Sequence, residues 1–154
     1  MDIAKTVKTL WGMSLAGAGT YMTASQGTQA LENITTDNLV SGSNAALSAA
    51  LGVWLVSRGG EYLYENLNLQ NSSPQQEERY KTKYMPLADI MGNIALVPTG
   101  IFAAYHSFMA DKTFSGGCAV FIAVSCGLVV AAGAKTLYNA SKVPEENELE
   151  NLVK

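Results

Sequence analysis

His106 is the only histidine in the chain, and its sequence neighbours Tyr105 and Ser107 supply no second metal ligand. A zinc site needs several ligands. A proton relay would need an acid at membrane depth, and the nearest carboxylate with a claim is Asp89, which reads as a solvated group at a helix start. Cys118 and Cys126 are eight residues apart. On one helix that is about 12 Å of rise, too far for a disulfide, so both read as small apolar residues. The acidic run EENELE near the C-terminus reads as solvated. No phosphate loop, nucleophile elbow, metal-ligand cluster or paired-carboxylate site is present, so no enzyme, cofactor or metal is expected.

Amides are the other candidates. Gln26, Gln29, Asn44 and Asn93 are the most polar residues of otherwise apolar stretches. In a helical hairpin the first three fall toward the same end. They could bond between helices, each bond contributing about 0.6 to 2 kcal/mol in lipid, or line a water-filled path.

What would position these groups is read from charge. Charged residues make up 15% of the 154, against about 25% in soluble domains. They leave four uncharged windows, 9–31, 38–57, 90–110 and 113–134. A bilayer core about 30 Å thick takes roughly 20 helical residues, and soluble helices normally show a charged face. The sequence therefore predicts an all-α, four-helix integral membrane protein made of two antiparallel transmembrane hairpins. These are residues 1–57 and 89–138. A polar linker, 58–88, would join them, with EYLYENLNLQ as a short amphipathic helix lying on the membrane surface and Leu63 and Leu67 toward lipid. Residues 139–154 would form an acidic soluble tail. The first window is the weakest, because TASQGTQ is polar. MDIAKTVK before an apolar run has the outline of a signal peptide, but the run is glycine-rich and an uncleaved helix is the expectation.

Nine of the ten basic residues fall on the side holding both termini and the linker, which points that side inward. Trp11, Trp54, Tyr80, Tyr84 and Tyr138 would sit at that face, and Tyr105, Phe108 and Phe114 at the other, as aromatic belts require. Pro98 should kink the third helix by leaving the Ile94 carbonyl without its donor. Net charge is −3 with a pI near 5.1, so nucleic acid is not an expected partner.

Small residues four apart recur on every window: Gly12 and Ala16; Ala45, Ala49 and Gly52; Gly92, Gly100 and Ala104; and the ridge Ser115, Ala119, Ala123, Gly127, Ala131. Such ridges let helix backbones approach in lipid, where no hydrophobic force drives association. The expected role is that of a structural subunit of a larger membrane assembly, with other membrane subunits or copies of itself, and the lipid bilayer, as partners. A small transporter or pore with a polar path, and a soluble helical interaction module, are the alternatives.

Overall fold

A computed structural model describes residues 3–68 and 73–142. Its elements are α1 (Ile3–Thr35), α2 (Leu39–Asn68), α3 (Pro74–Arg79), a π-helical turn (Tyr80–Tyr84), α4 (Met85–Asn93), α5 (Leu96–Met109) and α6 (Thr113–Lys142). All regular structure among the described residues is helical. The C-terminal tail beyond residue 142 lies outside them.

Two tight reversals make the hairpins, and both are built alike. Asp37 and Asp111 adopt positive φ, 58° and 57°. The amide after each bonds five residues back, Asn38 N to Asn33 O at 2.8 Å and Lys112 N to Ser107 O at 2.8 Å. This is the Schellman arrangement with aspartate in the left-handed position, a place that Asp tolerates better than most L-residues. Asn38 then starts α2 by accepting from the Ser41 amide through its side chain.

The region expected to be a linker is mostly helix. EYLYENLN forms no separate surface helix, since α2 runs unbroken to Asn68, and the last two residues of the expected segment lie outside the described residues. Nothing between Ser57 and Asn68 stops a helix except Gly59-Gly60. Gly59 is held by packing, because a Cβ there would lie 2.6 Å from Ala16 N and Gly12 O. Leu63 likewise faces Gly12 rather than lipid. On the return, α3 starts at a full capping box, with Ser73 accepting from Gln76 N and the Gln76 side chain accepting from Ser73 N.

Pro86 is the second residue of α4, which follows the π-helical turn without a break. Proline has no amide proton and crowds the carbonyl one turn back. The π turn just before it absorbs the misfit, with Met85 N donating to Tyr80 O. Pro98 acts similarly one step on. The helix loosens into a turn at Ile94–Ala95, and the Thr99 hydroxyl caps the Ala95 carbonyl at 2.6 Å.

Three helical stretches are long and apolar enough to cross a membrane: Leu39–Leu67, Pro74–Met109 and Thr113–Lys142. α1 is not among them. The helices lie in a serpentine layer in which α1 packs on α2, α2 on α4 and α5, and these on α6. The small core sits where α5 lies between its neighbours, with Leu47, Ala50, Leu96, Ala103, Ala104 and Ala119 buried together.

Glycines fix both hairpin interfaces. In the first, Gly12 meets Gly59 and Gly19 meets Gly52. A Cβ on Gly19 would fall 2.5 Å from Gly52 O and 2.7 Å from Val56 N. In the second, Gly100 faces Ala119 and Ala123, Gly116 lies under the Phe108 ring, and Gly133 lies under Ile90 and the Pro86 carbonyl.

Candidate functional site

The charges nearest the uncharged stretches converge. Arg58 is the first charge after α2's apolar run and Asp89 the last before that of α4 and α5. Since α2 packs on α4, the two meet at one depth. The Arg58 guanidinium donates to Asp89 Oδ1 at 2.5 Å and to Glu61 Oε2 at 2.6 Å. Glu61's side chain is only 9% exposed, so this is a partly dehydrated triad rather than a surface pair. The guanidinium also lies 5.7 Å from the centroid of the Trp54 ring one turn earlier. Next to it the Ser57 hydroxyl donates to Ala88 O at 3.0 Å. Tyr80 is buried and stacks on Tyr64 at 4.9 Å, so it faces the bundle and not an interface belt.

Arg58 and Glu61 of this triad floor a cleft of about 610 Å³ between α1, α2 and α4, lined also by Trp11, Leu15, Trp54, Tyr62, Glu65 and Met85. A smaller recess continues from it along Lys8, Tyr62, Glu65 and Asn66. Asn66 is buried and ties the hairpin's open end, donating to Lys5 O and Thr9 Oγ1 at 2.7 Å each. Two carboxylates already hold the guanidinium, so the triad's chemistry is electrostatic fastening. Of these groups, sequence reasoning weighed Asp89 but not its partners. The signal was present: Arg58 and Glu61 are three residues apart, one turn past Trp54.

The amides do not gather. Gln29 is exposed, while Gln26 and Asn44 are half-buried with no side-chain bond between them. Asn93 is buried but donates to its own helix, to Asp89 O at 2.7 Å. His106 packs edge-on against Phe102 and Tyr105, at 4.5 and 5.1 Å. Among the described residues no cluster of three metal-ligating side chains occurs. Cys118 is exposed and Cys126 half-buried, both free thiols.

Of the small residues, Gly12, Ala45, Gly52, Gly92, Gly100, Ala104, Ala119 and Ala123 are buried in helix contacts, and Ala16, Ala49, Ser115 and Gly127 are half-buried. Ser115 pairs with Ser107 across α5 and α6 at 3.3 Å. Ala131 is exposed, and Gly133 takes the contact instead. The reason is geometric. Each step of four residues turns about 40° beyond a full circle, so over four steps the ridge swings off the interface. The contact follows Gly116, Ala119, Ala123 and Gly133. Gly19 and Gly59 carry contacts of the first hairpin about as tight as that of Gly52, with a Cβ falling 2.5 and 2.6 Å from the facing backbone. Their seven-residue spacing to Gly12 and Gly52 marks them in the sequence.

No family model, curated protein or solved structure matches this chain.

Proposed function

We propose that this is a four-span membrane protein whose role is structural, holding a larger membrane assembly together through helix packing, with both termini on the inner side. The observation that carries it is the division of its glycines. Gly12, Gly19, Gly52, Gly59 and Gly100 are consumed by contacts within the chain, whereas a Cβ on Gly17, Gly27, Gly60 or Gly117 would meet nothing within 4 Å. Three of these four, Gly17, Gly27 and Gly117, lie on α1 and α6, the helices at the two edges of the layer. Edge helices with uncovered small residues offer close approach to helices of another subunit or another copy.

α1 crosses with its partner in this reading. It is fastened along its length, from Asn66 at one end to the Ala30–Gly42 contact at the other, so where α2 goes α1 follows. Its polarity is also less than its composition suggests. The hydroxyls of Thr9, Thr20, Thr23, Thr28 and Thr35 all donate to carbonyls four residues back, which removes unsatisfied groups from lipid.

The test uses the paired variant Gly17→Leu/Gly117→Leu. Carbonate-washed membranes should retain both wild type and variant. Extracted in mild detergent, the variant should run on native gels as a lighter species while keeping the thermal stability of the single chain. An unchanged native size refutes the assembly role, and release by carbonate refutes membrane insertion.

A further inference from the structure

The cleft between α1, α2 and α4 has a gradient along it. Leu15 and Trp54 lie at the end beside the uncharged stretches, and Glu61 and Glu65 at the end beyond them. From Trp54 to Glu65 the helix rises about 16 Å. Both tryptophans of the chain line the cleft, with Tyr62 beside them. Trp11 is 57% exposed and Tyr62 42% exposed, so large ring areas remain uncovered. Arg58 is held by Glu61 and Asp89, while neither Glu65 nor Lys8 makes an ion pair among the described residues. Of the groups that line the cleft and its recess, Arg58 and Glu61 neutralise each other, which leaves Glu65 and Lys8 as one unpaired charge of each sign.

Aromatic faces beside an unpaired carboxylate attract cations too bulky to be tightly hydrated, which is how quaternary ammonium groups are recognised. A primary ammonium would ask for several converging hydrogen-bond acceptors, and the ring-lined walls do not supply them. We infer that this cleft binds the quaternary ammonium of a zwitterionic lipid headgroup. The cation lies among Trp11, Tyr62 and Glu65, the acyl chains leave past Leu15, and the headgroup phosphate meets Lys8 in the adjoining recess. The lipid source rests on the membrane reading above; the quaternary-ammonium chemistry does not. The site would fix an annular lipid on the hairpin seam at the boundary between apolar and charged helix.

Because both tryptophans line the cleft, their emission reports occupancy directly. Protein purified in a maltoside detergent is titrated with three probes: a short-chain phosphatidylcholine below its micelle concentration, the matching phosphatidylglycerol, and tetramethylammonium chloride against sodium chloride. Phosphatidylcholine should change the emission saturably, and phosphatidylglycerol should bind at least about tenfold more weakly. Glu65→Gln, at an exposed position, should weaken phosphatidylcholine about fivefold or more with an unchanged circular dichroism spectrum, and Trp11→Leu should weaken it further. Saturation by tetramethylammonium alone supports the site and assigns its ligand to solution. Equal affinity for the two lipids, an indifferent Glu65→Gln, or no saturable response to any probe overturns the proposal. Carbonate extraction reads the membrane reading separately.

Discussion

The two hairpins turn in the same way and pack in different ways. Each reverses through an aspartate at positive φ followed by the same five-back hydrogen bond. In the first hairpin, small residues face small residues, and backbone lies on backbone at Gly12–Gly59 and Gly19–Gly52. In the second, glycines of α6 receive larger side chains, Phe108 over Gly116 and Ile90 over Gly133. The difference follows from what each helix has beside it. α1 has α2 as its main neighbour, so nearly all its association must come from one face. Close approach gives that face the most dispersion contact and lets Thr23 Oγ1 reach Ala49 O at 3.4 Å. α6 packs on a helical run interrupted by the π turn before Pro86 and by the turn at Ile94–Ala95, where side chains must fill an uneven groove.

That contrast breaks most visibly at glycine. Gly19→Ala sets a methyl against backbone atoms that cannot swing aside, so the first hairpin must separate along its length. A loss of about 2 to 3 kcal/mol is expected, the upper range for overpacking. Gly100→Ala meets chiefly the Ala123 methyl at 2.9 Å and Ala119 O at 3.0 Å, and a small helix shift relieves it at about 1 kcal/mol. Thermal unfolding in one detergent, monitored by circular dichroism, measures both. Equal losses would mean that the two interfaces are packed to the same tolerance.

The joint between hairpins comes next. Arg58 on α2 holds Asp89 on α4, and its loss leaves two partly buried carboxylates facing each other. Arg58→Met should cost about 1 to 2 kcal/mol, less than a fully buried pair because the guanidinium side chain is 28% exposed. Replacing Asp89 as well, in Arg58→Met/Asp89→Leu, should recover part of it. If the double variant is worse than the single, the triad is not the joint and the α2–α4 contact rests on Ser57 and Trp54.

These residues also show what was legible in the chain. Uncharged windows marked where helices run and the two-hairpin order, because a helix without charge over 20 residues has few other uses. They could not mark helix ends. Arg58 to Asn68 is charged and still helical, since Gly59 is pinned by α1 and the Arg58–Glu61 pair lies on one face; both are tertiary facts. The every-fourth ridge on α6 was visible as a pattern, yet its last member left the interface, because periodicity of four is not the helix's own. A search at seven would have found Gly12/Gly19 and Gly52/Gly59. The cleft was hidden for a plainer reason: its walls come from three helices, and the tryptophans read equally well as belt anchors.

The turns offer the smallest effect and the sharpest check on likeness. In both, an L-residue holds a left-handed conformation, which glycine adopts without steric cost and alanine does not. At each site the glycine variant should exceed the alanine variant in stability by about 1 kcal/mol. Asp37→Gly and Asp111→Gly should each lie within about 0.5 kcal/mol of wild type, since relief of the backbone is offset by the greater freedom of glycine in the unfolded chain. The same unfolding assay applied to the four variants decides it. If the hairpins differ only in how their helices meet, the two turns will respond alike. A glycine variant that loses stability at one turn alone would show that its aspartate carboxylate holds something beyond the backbone, and the shared turn would then be a likeness of shape without a likeness of cause.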